Sequence, residues 1–306
     1  MSNTAPLFIV GTGRSGTTML VRMLGGHPDV AAIKWETQFL VATNGLLDLV
    51  DAGRGDRAVV RTRQMLRRFL ERMNAHWWAR TMRGGTSREY EAGLCADLDR
   101  DTLDAALADL GTSIERDTVL TTDAARQFTS SLFDDIVQTQ QAKFWCEKTP
   151  ANLINVTRLH ELYPQARFIH IVRDGRDVAS SMCDNQFWPI AASNRVTETE
   201  PFRGHITFEK ALAYWATLLK IGEQQLATLP KDLRLDVRLE DIVNDEEATS
   251  SHIQRFLKLD PATPLARPKG KSNIGRAADD SAATESYPPL VADMLARWGY
   301  CNAHAQ

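Results

Sequence analysis

Short apolar runs alternate with segments of helical periodicity along much of the chain. Leu7 to Val10 is one such run and Arg167 to Val172 is another, and each suits a strand buried on both faces. Met19, Leu20, Met23 and Leu24 follow the first run at helical spacing, and Gly25-Gly26 ends that helix. This order of strand, turn and helix predicts an α/β fold with a mostly parallel sheet flanked by helices.

The same pattern recurs further along the chain. Lys143 to Cys146 predicts a strand, and Thr149-Pro150 predicts the cap of a helix that runs to about Tyr163. After the strand that ends at Val172, Arg173-Asp174-Gly175 turns into a helix through Met182. The remaining predicted elements are a helix over Phe208–Leu229, a strand near the sheet edge over Leu235–Leu239, and a last helix over about Leu290–Trp298.

We predict one domain over residues 1–306, interrupted by a mostly helical insertion at about 37–140. Apolar stripes at helical spacing support the insertion, such as Phe128, Leu132, Phe133, Ile136 and Val137. Residues 185–205 hold two prolines and few helical periods, which favours a loop. Residues 260–283 hold three prolines and several basic residues, which predicts a long functional loop.

Composition narrows the class of protein. Of 306 residues, 36 are Lys or Arg and 39 are Asp or Glu, so the formal net charge is −3. A nucleic-acid binder needs a basic excess or stripe to neutralise phosphates, and this balance argues against that class. Hydrophobic residues make up 43% and charged residues 25%, which is typical of a globular chain and excludes a disordered or collagen-like one.

No stretch approaches the roughly 20 apolar residues that a membrane span needs. The N-terminus has no positively charged leader before its short apolar run, so we expect no secretory signal. The four cysteines are scattered without a CxxC pair, which argues against a zinc site or a disulfide framework and fits a reducing compartment. We therefore expect a cytoplasmic protein with neither a membrane span nor a metal site.

A glycine-rich turn between the first strand and helix carries the clearest chemistry. Gly11-Thr12-Gly13-Arg14-Ser15-Gly16-Thr17-Thr18 fits the phosphate-binding pattern G-x-x-x-x-G-K-[ST] except that Thr17 stands where the lysine belongs. Successive backbone N–H groups in such a P-loop-like turn form an anion-binding concavity at a helix N-terminus. Because the lysine is missing and an arginine comes earlier in the loop, the pattern favours a phosphate-like group other than the nucleoside triphosphate of a kinase.

This loop resembles the 5′-phosphosulfate loop of sulfotransferases, which use 3′-phosphoadenosine 5′-phosphosulfate (PAPS). Two further segments match the same family. Arg173, at a strand end, and Ser181, eight positions later, are similar to its 3′-phosphate motif. Glu147-Lys148-Thr149-Pro150 is similar to the segment that carries a lysine near the leaving group. His27-Pro28-Asp29, followed by Glu36-Thr37, is closest to the tyrosylprotein and bacterial-type branches.

The resemblance implies a set of roles for these residues. The implied reaction is in-line transfer of a sulfuryl group from PAPS to an acceptor hydroxyl, and it needs no metal. In this reaction Glu36 would be the general base, and Lys148 and Arg14 would stabilise charge on the leaving group. The implied cofactor-binding residues are Gly13, Arg14, Ser15, Gly16, Thr17, Thr18, Arg173, Ser181, Lys271 and Arg276. The last two lie in the late basic loop, which would cover the cofactor.

Two other functions stay open at this point. A P-loop kinase for a small molecule would need a Mg²⁺ carboxylate, which Asp174 after the strand could imitate. A non-enzymatic nucleotide-binding module of the same fold would have no need of an intact catalytic set. His27 is the next candidate base after Glu36, although we expect it to cap the first helix, and we expect His170 to be a hydrogen-bonded core residue.

Overall fold

The structure is a computed structural model, and it describes residues 4–83, 89–184, 205–267, 274–275 and 287–300. Within these ranges the strands are β1 (Ala5–Val10), β2 (Val30–Ala32), β3 (Arg80–Arg83), β4 (Glu89–Ala92), β5 (Phe144–Lys148), β6 (Arg167–Val172) and β7 (Arg234–Arg238). The helices there are α1 (Thr17–Leu24), α2 (Leu46–Ala52), α3 (Ala58–Met73), α4 (Arg100–Asp117), α5 (Thr122–Gln140), α6 (Val156–Leu162), α7 (Gly175–Asp184), α8 (Phe208–Leu226), α9 (Leu239–Asn244), α10 (Glu246–Leu257) and α11 (Pro289–Arg297).

Five strands form the central sheet in the order β2-β5-β1-β6-β7. β2 pairs in parallel with β5, and β6 pairs in parallel with β7. Leu7 to Val10 of β1 are fully buried, as expected for a strand covered on both faces. The prediction of a mostly parallel sheet flanked by helices is confirmed, and β7 lies at the sheet edge as the sequence predicts.

The chain groups into two compact units, and each is described by itself. Unit 1 comprises Met1–Phe8, Leu24–Thr149 and Arg158–Arg167, and unit 2 comprises Ile9–Met23, Pro150–Thr157 and Phe168–Gln306. The single domain over residues 1–306 stays a prediction.

An aromatic cluster fills the core of unit 1. The Trp145 ring lies edge-on to Phe8, with centroids 5.5 Å apart, and 5.1 Å from the centroid of Phe133 on α5. Tyr163 packs edge-on against Trp145 at 5.8 Å, and its hydroxyl donates to Thr129 Oγ1 at 2.7 Å. These rings join β1, β5 and α5 around Trp145, the second residue of β5.

The segment predicted as mostly helical contains α2 to α5 and, in addition, the antiparallel pair β3–β4. The α4 and α5 helices begin at ordinary caps, since the side chains of Asp99 and Thr121 accept from the backbone N–H groups three residues later. The β3–β4 pair is short, and its stability comes from cross-strand pairing that no local pattern reveals.

One predicted helix start is wrong. Thr149 does not begin a regular helix, because Pro150–Asn155 is a 3₁₀ stretch and α6 starts only at Val156. The Thr149 hydroxyl instead donates to Glu147 Oε1 at 2.6 Å. The predicted loop at 185–205 lies outside the described residues except for residue 205, as does most of the predicted 260–283 loop. None of the helices in the described ranges is long and apolar enough to cross a membrane.

Two helix-interior glycines give a matched test of packing. A Cβ added at Gly222 in α8 would lie 2.4 Å from Leu153 Cδ1, whereas one at Gly111 in α4 would meet nothing within 4 Å. Gly222→Ala should therefore lower the free energy of unfolding by about 1–3 kcal/mol through overpacking. Gly111→Ala should raise it by about 0.5–1 kcal/mol through reduced backbone entropy. Urea unfolding measures both, and stabilisation by Gly222→Ala would contradict the tight contact with Leu153.

Candidate functional site

The P-loop-like turn in unit 2 begins at Gly11, after β1, and ends where α1 starts at Thr17. A Cβ at Gly11 would lie 2.6 Å from the carbonyl oxygen of Ile171 in β6, so only glycine permits this approach. Arg14 (φ 68°) and Gly16 (φ 95°) adopt the left-handed region, which turns the backbone back on itself. Ser15 is fully buried, and its hydroxyl donates to the Thr12 carbonyl at 2.6 Å. The loop is therefore held from inside, and its backbone forms a turn of the kind that binds anions.

Arg14 meets two residues from a distant part of the sequence, Arg173 and Ser181. Arg14 Nε donates to Ser181 Oγ at 2.9 Å, and Arg173 Nη1 donates to the backbone carbonyl of Arg14 at 3.1 Å. Arg173 follows β6 and is only 8% exposed, while Ser181 lies two turns into α7. Unit 2 thus brings together the predicted phosphosulfate loop and both residues of the predicted 3′-phosphate motif.

The two arginines also repel each other. Burial lowers the pKa of Arg14, and the positive charge of Arg173 lowers it further. Arg173 is compensated in part by Asp177, whose Oδ2 lies 3.4 Å from Nη2. Two adjacent, partly desolvated guanidiniums favour the binding of an oxyanion between them, because its negative charge offsets their mutual repulsion.

A network of side chains fixes the start of α7. Both carboxylate oxygens of Asp174 accept from Arg176, whose Nη2 also donates to the Tyr300 carbonyl at 2.8 Å. Glu240 accepts from the Asp174 backbone N–H at 3.0 Å and from the Tyr300 hydroxyl at 2.8 Å. Burial and the charge of Glu240 raise the pKa of Tyr300, so this hydroxyl keeps its proton and remains a donor. Asp174, which directly follows Arg173, is therefore held in place by these hydrogen bonds.

The late basic loop meets α7 at one described point. The Gly275 backbone N–H donates to Asp177 Oδ2 at 2.8 Å. Asp177 is the carboxylate that also faces Arg173. The predicted cofactor residues Lys271 and Arg276 lie outside the described residues.

Unit 1 holds the other two predicted catalytic residues. Lys148 Nζ donates to Glu36 Oε1 at 2.8 Å, with the lysine side chain 9% exposed and the glutamate 30% exposed. Lys148 is the last residue of β5, and Glu36 lies four residues after β2, its parallel neighbour. Strand ends that share one edge of a parallel sheet explain why residues 112 positions apart form an ion pair.

The chain before Glu36 is anchored to the insertion. Lys34 donates from its backbone N–H to Asp97 Oδ2 at 3.0 Å and from Nζ to the Ala96 carbonyl at 2.8 Å. Burial raises the pKa of Asp97, and the Lys34 charge opposes that shift. Sequence reasoning missed Asp97 because nothing in its local pattern connects it to residues 63 positions earlier.

The predicted secondary candidates have ordinary structural surroundings. His27 is buried, and its Nδ1 accepts from the Asp29 backbone N–H at 3.1 Å. His170 is hydrogen-bonded to Asp236 of the neighbouring strand at 2.9 Å, so the prediction of a core histidine is confirmed. Within the described residues, no group of three or more His, Cys, Asp or Glu side chains is arranged to hold a metal ion.

Comparison with known proteins gives a consistent result. The model of the family described as "Sulfotransferase family" matches residues 6–264. The chain is similar to the sulfotransferase domain from the curacin biosynthetic pathway, with 12% identity, a TM-score of 0.55, and coverage of 97% of this chain and 98% of that one. It is also similar to the sulfotransferase domain of the Synechococcus PCC 7002 olefin synthase, with 19% identity, a TM-score of 0.51, and coverage of 97% and 96%. At these identities the two structures show a shared fold. The search of curated proteins finds no match.

The Arg173–Asp177 contact predicts a response to anions. Asp177→Asn leaves a buried guanidinium without its carboxylate and should destabilise the protein by up to about 3–5 kcal/mol. Added sulfate should raise the melting temperature of Asp177→Asn more than that of the wild type, since the anion replaces the lost charge. Thermal unfolding in sodium sulfate and in sodium chloride of equal ionic strength measures this.

Asp123→Asn is the control, because Asp123 pairs with Arg126 at 2.7 Å on the surface, where it is 89% exposed. It should change stability little and respond to sulfate like the wild type. An equal sulfate response in Asp177→Asn and the wild type would contradict an anion site beside Arg173.

Proposed function

Because this chain belongs to the sulfotransferase family, we propose that it transfers the sulfuryl group of PAPS to an acceptor hydroxyl by in-line displacement at sulfur. Membership of the family makes the chain a sulfotransferase that uses a sulfonate donor and a hydroxyl acceptor. The identity of the donor as PAPS and the roles of individual residues are the substance of the proposal.

The observation that carries the proposal is the cluster of Arg14, Arg173 and Ser181 beside the glycine-rich loop. Two guanidiniums and a hydroxyl are held together there by hydrogen bonds of 2.9 and 3.1 Å. PAPS has two separate anionic groups, a 5′-phosphosulfate and a 3′-phosphate. A loop that offers backbone donors, next to a paired arginine site, fits a ligand with this charge distribution.

The loop residues divide the task of binding. The backbone N–H groups of Gly13 to Thr18, at the N-terminus of α1, would hold the phosphosulfate. Arg173 and Ser181 would hold the 3′-phosphate, and Arg14, which touches both, would reach the phosphosulfate end. Lys271 and Arg276, in the late loop, would add positive charge over the 3′-phosphate, consistent with the contact of Gly275 with Asp177.

The Glu36–Lys148 pair supplies acid–base and electrostatic chemistry. Glu36 would accept the proton of the acceptor hydroxyl, which makes the oxygen a better nucleophile. Lys148 would offer positive charge to the departing phosphate oxygen. When bound, PAPS supplies an activated sulfuryl group with a phosphate leaving group. The 2.8 Å contact with Lys148 orients the Glu36 carboxylate.

One observation weighs against the kinase alternative. Asp174, which a kinase would need as a Mg²⁺ ligand, accepts from Arg176 at both carboxylate oxygens. A carboxylate committed to a guanidinium is a poor metal ligand. Titration with ATP-Mg²⁺ and with 3′-phosphoadenosine 5′-phosphate (PAP) tests the choice directly, and tight binding of ATP-Mg²⁺ alone would favour the kinase. Binding of PAP without any sulfuryl transfer would favour the non-enzymatic nucleotide-binding module.

Arg173 provides a test of the 3′-phosphate subsite. A hydrogen bond to a charged group contributes about 1.5–3 kcal/mol, so Arg173→Ala should weaken PAP binding about ten- to a hundredfold. Binding of an analogue without the 3′-phosphate should change much less, and Ser181→Ala should act in the same direction with a smaller effect. Isothermal titration with both ligands measures the ratio. Equal loss for both ligands would point to a folding defect and overturn the assignment.

Glu36 provides a test of the base. A general base contributes about 10²–10⁴ in rate, so Glu36→Gln should lower kcat by that range and leave PAP affinity nearly unchanged. The wild-type kcat/KM should fall on the acidic side of its pH profile, as expected of an enzyme with a general base, and Glu36→Gln should lose that limb. The rate loss should shrink for acceptors with more acidic hydroxyls, which need less help from a base.

The control for Glu36→Gln is Glu71→Gln, since Glu71 forms an exposed ion pair with Arg67 at 3.7 Å. It should retain full activity. If Glu36→Gln is also near full activity with a weakly acidic alcohol, Glu36 is not the base, and His27 becomes the next residue to mutate.

A further inference from the structure

Glu147 is a fully buried carboxylate in the same strand as Lys148. Its exposure is 0%, whereas Lys148, the next residue, keeps some exposure at 7%. Successive side chains of a strand point to opposite faces, so Glu147 points away from the side of β5 that carries Lys148. An ionised carboxylate in such a position needs several hydrogen-bond donors to offset its lost hydration.

The donors come from the two residues that directly follow the members of the proposed catalytic pair. Glu147 Oε1 accepts from the Thr149 hydroxyl at 2.6 Å, from the Thr37 hydroxyl at 3.1 Å and from the Thr37 backbone N–H at 3.4 Å. The Gln38 backbone N–H then donates to Thr149 Oγ1 at 3.4 Å. Thr37 follows Glu36 directly, and Thr149 follows Lys148 directly.

These contacts continue the pairing of two strands after their backbone ladder has ended. The β2–β5 register ends with Ala32 opposite Cys146, and the Ile33 N–H donates to the Cys146 carbonyl at 2.9 Å. Beyond that bond, side chains join the two segments. Glu36 meets Lys148, Thr37 meets Glu147, and Gln38 meets Thr149. Gln38 has a left-handed backbone (φ 58°), so the chain turns away directly after the last of these contacts.

We propose that Glu147 is a positioning residue, which holds Glu36 within ion-pair distance of Lys148 by accepting from Thr37 and Thr149. The inference rests on the proposed function, since it matters to the reaction only if Glu36 and Lys148 carry it. One buried carboxylate oxygen accepts from both Thr37 and Thr149, so a shift of either segment breaks hydrogen bonds inside the core. The geometry of the 2.8 Å pair is thus enforced from the buried side of the sheet.

Thr37→Val tests this role with the smallest change of shape. It removes one hydroxyl donor, keeps the backbone N–H and leaves Glu36, Lys148 and Glu147 in the chain. Loss of a hydrogen bond to a charged group should lower kcat about ten- to a hundredfold through misplacement of Glu36. PAP affinity should be unchanged, and the acidic limb of the kcat/KM profile should move. Thr37→Ser should restore the wild-type kcat and the wild-type pH profile.

Thr129→Val is the matched control for a buried threonine in the same unit. Thr129 is 0% exposed, and its Oγ1 accepts from the Tyr163 hydroxyl at 2.7 Å. It should lower the melting temperature without changing kcat per folded enzyme or the pH profile. If Thr37→Val behaves in the same way, Glu147 has a structural role alone and the proposal is overturned.

Glu36→Gln, measured alongside, separates this inference from the proposed function. Near-full activity of Glu36→Gln overturns the base assignment and the positioning role with it. A large loss in Glu36→Gln, combined with normal kcat and pH profile in Thr37→Val, overturns the positioning role alone. A large loss in both, with rescue by Thr37→Ser, is the expected result.

Discussion

A charge buried at the end of an apolar strand destabilises the fold unless opposite charges or hydrogen-bond donors surround it. This constraint acts at two strand ends here, because Lys148 ends β5 and Arg173 follows β6, and both are nearly buried. Glu36 meets the first of these charges, and Asp177 meets the second. Lys148 and Arg173, which we propose for catalysis and donor binding, are therefore also charges that the fold must compensate, and each has a defined position in its unit.

The proposed anion site of unit 2 shows how the backbone sets the position of the arginines. Gly11 allows β1 to approach the Ile171 carbonyl, and the left-handed backbone at Arg14 places its carbonyl where Arg173 donates to it. The network of Asp174, Arg176, Glu240 and Tyr300 then ties the start of α7 to the C-terminal part of the chain. The residue that follows Arg173 is therefore fixed by contacts with the last part of the described chain.

The base side of unit 1 depends on two attachments of a short irregular segment. Lys34 ties it to Asp97 and Ala96 in the insertion, and Thr37 ties it to Glu147 in the central sheet. Glu36 lies between these attachments. The insertion is thus connected to the segment that carries the proposed base.

Local patterns in the sequence determined the α/β class, most strand and helix positions, and the family. Apolar runs such as Leu7 to Val10 indicate a buried strand, and the glycine spacing from Gly11 to Gly16 indicates an anion-binding turn. Both features can be read from the sequence because each depends on residues that are neighbours in the chain. The resemblance then supplied the site residues, and the structure places Glu36 beside Lys148 and Arg14 beside Ser181. Only the tertiary structure could show that Glu147 contacts Thr37 and that Asp97 contacts Lys34, on either side of Glu36. It also shows that the Thr149 hydroxyl donates to Glu147 and does not cap a helix, and that β3 pairs with β4. Each of these features is a contact between segments whose partner no local pattern names, so its stability exists only after the chain has folded.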